Sequence, residues 1–504
     1  MNLNVDKAAP LTSPKSSGEA APGVERIDVA AVNANARQSL YAKRKAIHPR
    51  KARGAFRRLK WVIMAVTLGI YYLTPWLRWD RGLNAPDQAV LIDLPGRRFY
   101  FFFIEIWPQE VYYITGLLIL AAIGLFLVTS VWGRAWCGYT CPQTVWTDLF
   151  IAVERFIEGD RNARIRLDRA TWTTGKFAKR VFKHVTWIVI AVLTGGAWVF
   201  YFADAPTLLG ELFTGDAPII AYIFVGMFAA TTYLLGGLAR EQVCIYMCPW
   251  PRIQAAMVDE ETLTVSYRGY RGEPRGSHKQ GDSWDGRGDC IDCNQCVVVC
   301  PMGIDIRHGS QLECITCALC IDACNEVMDK VGRPRGLIGY DTDANMVKRA
   351  SGETPRFRLI RARTITYAAI LAVVSGIMLF ALANRSPLDL NVLRDRNPLY
   401  VTLSDGSIRN GYAIKILNKS RVETAFALDV EGLPEHDVKV VGDDAGGDQT
   451  VLVVPADQLR SFRVLVAIPA EAVSSESMPV RFTVTDRAED ISVSVDSQFR
   501  GPEQ

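Results

Sequence analysis

Residues 290–301 read CIDCNQCVVVCP and residues 314–325 read CITCALCIDACN, so the cysteine spacing C-x2-C-x2-C-x3-C occurs twice in a short stretch. Three cysteines spaced by two residues wrap a tight loop whose sulfurs can converge on one face of a cubane. In bacterial proteins with two such cubanes, the fourth cysteine of each run serves the other cluster. The pattern therefore predicts two [4Fe-4S] clusters. The first would be bound by Cys290, Cys293, Cys296 and Cys324, and the second by Cys314, Cys317, Cys320 and Cys300.

Two other roles for these eight cysteines are less favourable. Disulfide bridges persist in oxidising compartments, whereas the topology described below places all eight cysteines on the cytoplasmic side. A zinc site needs four ligands and would not explain the doubled spacing. Asn325 stands where the first run has Pro301. This change loosens the turn after Cys324 and removes no ligand.

The remaining four of the twelve cysteines lie in two further motifs, WCGYTCPQ at 136–143 and VCIYMCPW at 243–250. Each motif reads C-x3-C-P directly after an apolar run, which indicates duplication of a two-helix unit. Residues four apart share one face of a helix, so the two pairs could form one four-sulfur site, with Met247 as a further soft donor. The cysteines concerned are Cys137, Cys141, Cys244 and Cys248.

The chemistry of this second set of cysteines stays open at this point. Thiolates favour Cu(I), zinc or iron–sulfur clusters, so the four sulfurs could hold copper or a third cluster. Redox-active dithiols are another possibility. The structural alternative is that the four cysteines pack as small hydrophobic residues.

The composition indicates a chain that lies partly in a membrane. Of the 504 residues, 49% are hydrophobic and 22% are charged, and the mean hydropathy is just above zero. Five apolar runs are long enough to cross a bilayer, which needs about 20 residues. They are residues 61–77, 112–132, 185–202, 217–238 and 365–383.

The distribution of Lys and Arg predicts the orientation of these spans, because basic residues are enriched in cytoplasmic loops. Residues 43–60 and 155–183 are rich in Lys and Arg, whereas residues 203–216 contain three acidic residues and no basic ones. The N-terminus and the cysteine region would then be cytoplasmic, and the chain after Asn384 would lie outside. Four arginines in the first outer loop oppose the rule, namely Arg78, Arg81, Arg97 and Arg98.

The predicted fold is therefore that of a multidomain membrane protein with five parts. They are a disordered basic cytoplasmic tail at 1–59, a four-helix membrane region of two hairpins, each ending in CxxxCP, at 60–265, a cytoplasmic 2[4Fe-4S] ferredoxin-like domain at 266–340, a linker and fifth transmembrane helix at 341–384, and an outer immunoglobulin-like β-sandwich at 385–504. The sandwich is predicted from short runs of β-branched residues separated by Gly, Asp and Pro clusters. It shows no catalytic constellation, so we expect a packing or docking module.

Other cofactors and partners are not indicated. Among five histidines only His184 borders an apolar run, which leaves no transmembrane pair to hold a haem. The glycines after the cysteine region do not form a nucleotide-binding loop. The net charge of +4 is small for this length and gives no reason to expect nucleic acid binding.

Two hairpins ending in CGYTCP and CIYMCP, followed by the eight-cysteine region, a fifth span and an outer β-sandwich, resemble the family of cytochrome c oxidase accessory proteins CcoG, also known as the FixG/RdxA family. The resemblance covers the chain from about Lys60 onward. It implies a protein of the bacterial inner membrane that acts as a cupric reductase, converting Cu(II) to Cu(I), and supports assembly of the cbb3-type oxidase.

The resemblance also implies a set of ligands and partners. The cluster ligands of the family fall on the eight cysteines assigned above, and its copper-associated pairs fall on Cys137 with Cys141 and Cys244 with Cys248. Electrons would enter the ferredoxin-like domain and reach copper held by the sulfurs at the membrane edge. The implied partners are copper ions, a copper-transporting ATPase, copper chaperones and oxidase assembly components. The electron donor is unknown.

Two alternative functions remain at this point. One is a quinol dehydrogenase subunit that feeds a periplasmic reductase; the absence of haem sites and the attached β-sandwich make it less favourable. The other is a non-enzymatic assembly scaffold whose clusters sense iron or redox state.

Overall fold

The computed structural model describes residues 27, 29, 46–82, 85–279, 282–441, 451–486 and 491–502. The chain divides into two compact units. The first consists of Met1–Leu77 and Gln88–Gly376, and the second of Arg78–Asp87 and Ile377–Gln504. Most of the predicted tail at 1–59 lies outside the described residues.

The helices carry the membrane region and the cysteine region. In chain order they are α1 (Ala55–Leu73), α2 (Tyr112–Trp132), α3 (Ala135–Tyr139), α4 (Pro142–Glu158), α5 (Arg161–Arg169), α6 (Thr174–Val199), α7 (Ala205–Thr214), α8 (Ile219–Thr232), α9 (Trp250–Ala255), α10 (Gly269–Gly272), α11 (Gln295–Val298), α12 (Leu319–Lys330), α13 (Asp343–Ala350) and α14 (Ala362–Ala383). Two π-helical segments, Tyr233–Ala239 and Val243–Met247, follow α8.

Four helical stretches within the described residues are long and apolar enough to cross a membrane. They are Pro108–Trp132, Thr174–Val199, Ile219–Ala239 and Ala362–Ala383. They correspond to the second to fifth predicted spans. The prediction of five spans is therefore not confirmed in full, because the first apolar run is not among them.

Helix α1 differs from the expected first span in both its start and its composition. It begins at Ala55 rather than at Trp61, and it ends at Leu73, four residues before the expected end. Its first two turns contain Arg57, Arg58 and Lys60, and the side chains of Arg57 and Lys60 are buried. These basic residues shorten its continuous apolar length, which explains why composition alone does not identify it as a span.

The segment that precedes α1 is held against the cysteine region. The backbone N–H of Arg50 donates to the carbonyl oxygen of Val298 at 3.0 Å, and Ala52 is buried. At the start of α1 the carboxylate of Asp322 accepts from the backbone N–H groups of Phe56 and Arg57 at 3.3 and 2.7 Å. Residues 46–59 therefore differ from the predicted disordered tail, because their backbone is bonded to residues far along the chain.

Helices α6 and α8 form a closely packed pair. A Cβ atom added to Gly195 would lie 2.7 Å from the carbonyl oxygen of Val225 and 2.9 Å from the backbone nitrogen of Ala229. The absence of a side chain at Gly195 therefore permits the backbones of the two helices to approach. Beyond α8 the helix widens to the π form and ends at Arg240, whose φ is 48°.

A small sheet follows α1 and precedes α2 in the chain. It gives a structural role to Arg98, one of the four arginines that oppose the enrichment of basic residues in cytoplasmic loops. Strands β1 (Val90–Asp93), β2 (Arg98–Phe101) and β3 (Ile104–Ile106) pair antiparallel. Arg98 donates to Glu105 at 3.2 Å and its guanidinium lies 3.9 Å from the ring centroid of Trp107. This sheet was not predicted, since its strands are three or four residues long.

The eight-cysteine region is built around two short strands and two helices. Strand β4 (Thr264–Tyr267) pairs antiparallel with β5 (Ile338–Asp341), so the two ends of the region meet. Helices α11 and α12 lie between them in sequence. Their buried apolar side chains form one core with Val265, Leu337 and Ile338.

The second unit contains a β-sandwich of two antiparallel sheets. The strands are β6 (Leu388–Arg394), β7 (Val401–Thr402), β8 (Ile408–Asn418), β9 (Thr424–Glu431), β10 (Asp437–Val441), β11 (Val451–Val454), β12 (Gln458–Ile468), β13 (Ser477–Asp486) and β14 (Ser492–Arg500). One sheet has the order β10-β12-β8-β6, with β7 also on β8, and the other has the order β11-β9-β13-β14. Alternate residues face the core, where Tyr412, Ile414 and Phe482 are fully buried.

Candidate functional site

The first predicted set of cysteines lines one cavity. Cys290, Cys293, Cys296 and Cys324 all face it, together with apolar side chains such as Val327 and Leu337. Cys296 lies in α11 and Cys324 in α12, whereas Cys290 and Cys293 lie in the loop before α11. The structure therefore brings the last cysteine of the second run to the first three cysteines of the first run.

The second predicted set lines another cavity. Cys314, Cys317, Cys320 and Cys300 face it, and Cys296 borders it as well. The two cavities thus share one lining residue. Because each cavity takes one cysteine from the other run, the two cysteine runs depend on each other.

The same backbone conformation shapes both cysteine loops. Asp292 and Asn294, which flank Cys293, have φ values of 51° and 60°, and Thr316 and Ala318, which flank Cys317, have φ values of 55° and 60°. Positive φ is uncommon for residues other than glycine. Two such residues around the middle cysteine turn the chain sharply in each loop and direct successive sulfurs to one side.

The burial of these thiols suits a cationic cluster. Burial raises the pKa of the Cys300 thiol to about 12 and that of the Cys314 thiol to about 11, because a thiolate loses its hydration in an apolar interior. Iron ions supply the positive charge that such buried sulfurs need in order to ionise. The two sets of four sulfurs therefore fit [4Fe-4S] clusters as the bound groups.

Arg307 holds the loop around Cys293 in place through several side-chain contacts. Its guanidinium donates to Asp305 and Asp292 at 2.6 Å, and to the side-chain oxygen of Asn294 at 2.7 Å. The Arg307 and Asp305 side chains are both only 7% exposed. No sequence pattern indicates this role, because the pairing depends on how the loop folds back.

The four cysteines of the C-x3-C-P motifs lie at helix ends. Cys137 is in α3, Cys141 directly precedes α4, and Cys244 is in the second π-helical segment, which Cys248 ends. Pro142 occupies the first turn of α4, where the missing N–H costs nothing. Met247, the further donor considered from the sequence, is 63% exposed.

These four thiols are electrostatic neighbours. Burial, with smaller contributions from Cys141 and Cys248, raises the pKa of Cys137 to about 11 against the opposing effect of Arg134. Burial, with smaller contributions from the other three thiols of the set, raises the pKa of Cys244 to about 12. Within the described part of the chain, no three His, Cys, Asp or Glu side chains lie close enough together to hold a single metal ion.

Gln254 and Arg134 surround the Cys137 thiol, and neither residue was predicted. The thiol donates to Oε1 of Gln254 at 3.2 Å, and Nε of Arg134 donates to the same oxygen at 3.3 Å. Gln254 is fully buried, and its Nε2 donates to the hydroxyl of Thr129 at 3.2 Å. These contacts join residues more than a hundred positions apart, so no local sequence pattern reveals them.

Two members of the four-cysteine group pack beside the second cavity. Cys137 lies in one apolar core with Ile315 and Cys317, and Cys244 packs against this core. A Cβ atom added to Gly138 would lie 2.6 Å from the carbonyl oxygen of Ile315 and 3.1 Å from Cα of Cys317. Only glycine at this position lets α3 approach the cysteine loop so closely.

Three family models match the chain. A 4Fe-4S binding domain matches residues 114–158, which contain Cys137 and Cys141. A 4Fe-4S dicluster domain matches residues 239–343, which contain the other ten cysteines. A model described as an Ig-like fold at the C-terminus of FixG matches residues 378–502.

Similar proteins cover most of the chain. Nitrogen fixation protein FixG of Rhizobium meliloti is 55% identical over 476 residues, which cover 88% of this chain and 91% of that protein. Protein RdxB of Cereibacter sphaeroides is 55% identical over 92% of this chain and 98% of its own length. Protein RdxA of the same organism is 59% identical over 78% of this chain and 84% of its own length.

Among solved structures, the crystal structure of a FixG-related protein from Vibrio parahaemolyticus is similar to part of the chain. It is 22% identical, covers 23% of this chain and 96% of that chain, and gives a TM-score of 0.20.

Proposed function

This chain belongs to the FixG/RdxA/RdxB family of iron–sulfur electron-transfer proteins, and we propose that it reduces Cu(II) to Cu(I) at the thiols of Cys137, Cys141, Cys244 and Cys248. The observation that carries this proposal is the packing of α3 on the loop of Cys314 and Cys317. Cys137 and Cys244 thereby lie beside the second cavity, and Cys141 and Cys248 are their electrostatic neighbours. Each Cu(II) ion takes up one electron.

The eight cysteines of the two cavities are the proposed cluster ligands. Cys290, Cys293, Cys296 and Cys324 would hold the first [4Fe-4S] cluster, and Cys314, Cys317, Cys320 and Cys300 the second. When bound, such clusters carry single electrons at potentials set by burial and nearby hydrogen bonds. The chain contributes apolar burial of the sulfurs, and Arg307 orients the first loop.

The four thiols of the C-x3-C-P motifs favour the product of the reaction. Thiolate sulfur prefers Cu(I) over harder ions, so a copper ion that these sulfurs contact is more easily reduced than one in water. The buried amide of Gln254 holds the Cys137 thiol in place. Copper is here the substrate, and the cysteines act as its ligands during reduction.

A double variant, Cys244→Ser with Cys248→Ser, tests the copper assignment. The full chain is reduced with dithionite, freed of excess reductant under argon and mixed with Cu(II), and Cu(I) is measured as its coloured bicinchoninate complex. We expect the variant to keep its iron content and visible absorbance and to form less than about a tenth of the Cu(I). Tyr246→Phe, at an exposed side chain between the two cysteines, is the matched control.

The outcomes separate the alternatives for these cysteines. Unchanged Cu(I) formation in the double variant would contradict the proposal. About eight iron ions per wild-type chain would fit two cubanes. About twelve, falling to about eight in the double variant, would show that the C-x3-C-P cysteines hold a third cluster instead.

The proposed cellular role is to support copper delivery to a cbb3-type cytochrome c oxidase from the bacterial inner membrane, with the ferredoxin-like domain in the cytoplasm and the sandwich in the periplasm. A copper-transporting ATPase and copper chaperones are the proposed partners. This role rests on the resemblance to the oxidase accessory family. Disruption of the gene should lower the copper content of the oxidase, and full copper occupancy without the gene product would argue against it.

A further inference from the structure

A cavity lies among the helices of the membrane region and has no role in the function proposed above. It has a volume of about 390 Å³ and is enclosed by residues of α1, α4, α6 and α8 and of the first π-helical segment. This volume is within the range of sites for small organic ligands. Helices α6 and α8 belong to candidate spans, and Trp198, which lines the cavity, is 43% exposed. The cavity is therefore open to a ligand that dissolves in lipid.

Aromatic rings form much of its wall. The ring of Tyr71 meets the ring of Trp146 edge-on, with centroids 5.3 Å apart, and lies nearly parallel to the ring of Trp198 at 6.5 Å. Trp198 in turn contacts Phe228, with centroids 5.9 Å apart. A flat aromatic ligand gains more from such a wall than a flexible acyl chain does, because ring pairs have favourable offset and edge-to-face geometries.

The wall is held in a fixed arrangement by Thr194. Its carbonyl oxygen accepts from the hydroxyl of Tyr71 at 2.7 Å, and its hydroxyl accepts from Nε1 of Trp146 at 3.0 Å. The polar ends of both rings are thus satisfied inside the protein. Because these rings are already held in place, little ordering is needed when a ligand binds.

Two polar groups in this apolar wall have unused hydrogen-bonding capacity. Nε2 of Gln143 donates to the carbonyl oxygens of Leu235 and Arg240 at 2.8 and 3.2 Å, which fixes the orientation of the amide. Among the described residues its Oε1 has no donor, and the hydroxyl of Thr232 has no partner. By contrast, the neighbouring Thr231 hydroxyl donates to the carbonyl oxygen of Phe228 at 3.0 Å.

The cavity adjoins the four-cysteine group. Its lining residues Pro142 and Gln143 directly follow Cys141, and Gln143 also lines a smaller cavity that Cys244 and Asp148 border. A ligand in the aromatic cavity would therefore lie beside the thiols at which copper reduction is proposed. One side chain, Gln143, faces both spaces.

We propose that this cavity binds the ring of a lipid-soluble quinol and that this quinol is the electron donor of the protein. The ring would lie against Tyr71 and Trp198, and its oxygens would bond to Oε1 of Gln143 and the hydroxyl of Thr232. The choice of Cu(II) as the electron acceptor rests on the function proposed above. One quinol loses two electrons and two protons to become a quinone, two Cu(II) ions gain one electron each to become two Cu(I), and the protons pass to water.

Binding is tested without copper. The full chain in detergent micelles is titrated by calorimetry with a benzoquinone that carries a ten-carbon tail, and with decane as the probe for an acyl chain. We expect saturable binding of the quinone at one site. Thr232→Val, which removes the spare hydroxyl, should weaken binding roughly three- to tenfold, the usual effect of one lost neutral hydrogen bond. Thr231→Val removes a hydroxyl bonded within its own helix and is the matched control.

The aromatic wall is tested separately. Trp198→Leu should weaken quinone binding roughly tenfold through the loss of ring packing. Trp172→Leu, at an exposed ring outside the cavity, should leave binding unchanged. Equal binding of decane and the quinone, or equal affinities in the Thr232→Val and Thr231→Val variants, would overturn the proposal in favour of a lipid tail as the occupant.

The donor role has its own experiment, in which the reduced quinol replaces dithionite. Bleaching of the visible absorbance by quinol is expected in the wild-type chain and should slow in Thr232→Val. If dithionite-reduced protein forms Cu(I) but quinol neither binds nor bleaches the chain, the proposal of a quinol donor is wrong. The proposal of copper reduction then stands. If quinol bleaches the chain and no Cu(I) forms with either reductant, quinol is the electron donor and the proposal of copper reduction is wrong. A mixture of quinol and Cu(II) without protein gives the background rate.

Discussion

The hydroxyl of Tyr139 donates a hydrogen bond to the backbone carbonyl oxygen of Cys317 at 3.3 Å, although 178 residues separate the two in the chain. Tyr139 ends the helix that carries Cys137, and Cys317 is the middle cysteine of the second run. The bond joins the two kinds of cysteine motif at one point. It holds the end of α3 against the loop of Cys317, and the proposed electron path to the four thiols rests on this contact.

Gly138→Ala should disturb this junction. The added Cβ would meet the carbonyl oxygen of Ile315 at 2.6 Å, so α3 or the loop must move, and overpacking of this kind costs about 1–3 kcal/mol. We expect a lower thermal midpoint and slower Cu(I) formation, with the iron content retained. The control is Gly175→Ala in α6, where an added Cβ has open space. Wild-type copper reduction in Gly138→Ala would show that the close approach is not required.

Arg307→Leu should destabilise the first cluster site. It removes the guanidinium from the buried carboxylate of Asp305 and from the side chains of Asp292 and Asn294, and breaking a buried ion pair costs about 3–5 kcal/mol. We expect the iron content to fall towards about half, measured by metal analysis. Arg335→Leu removes an exposed pair with Asp329 in the same region and should keep its iron. Full iron content in Arg307→Leu would contradict the role given to this residue.

Serine variants of single cysteines should fall into two groups that cross the two runs. Cys290→Ser and Cys324→Ser should lose the same signal in electron paramagnetic resonance of the reduced chain, because both line the first cavity. Cys314→Ser and Cys300→Ser should lose the other signal. If the effects followed the order of the cysteines in the chain instead, with Cys300 grouped with Cys290, the crossed assignment would be wrong.

The number of spans decides on which side of the membrane the sandwich lies. With five spans the two ends of the chain lie on opposite sides, and with four they lie on the same side. We expect alkaline phosphatase, which is active only outside the cytoplasm, to be active when fused after Gln504 and inactive when fused before Met1. Activity at neither end would mean that α1 does not cross the membrane.

Most of what the sequence could predict about the candidate site came from the spacing of the cysteines. Ligand spacing is local, so the two runs indicated the two cavities, including the exchange of Cys300 and Cys324. Short runs of β-branched residues between Gly, Asp and Pro clusters likewise predicted the sandwich, in which strand β8 alternates buried with half-buried residues. The matched position of the C-x3-C-P pairs predicted that their thiols would be neighbours, as the effects of the other thiols on the pKa values of Cys137 and Cys244 indicate.

The parts that were missed depend on contacts between distant residues. No sequence motif identifies three residues of the site. They are Gln254 beside Cys137, Arg307 at the loop around Cys293, and Gln143 between two cavities. The predicted start of α1 was too late in the chain. Arg57 and Lys60 are buried at the start of the helix because they form ion pairs with Asp148, which lies far along the sequence. A basic run was therefore interpreted as solvated tail when it is part of an ion-paired helix end.

The capping of α1 by Asp322 has a consequence for biosynthesis. The carboxylate that accepts from the first N–H groups of α1 is 266 residues away from Phe56, and Asp322 lies two residues before Cys324, a proposed cluster ligand. During translation α1 leaves the ribosome long before its cap exists. Helix α1 therefore gains the hydrogen bonds at its start only after the cysteine region has been made.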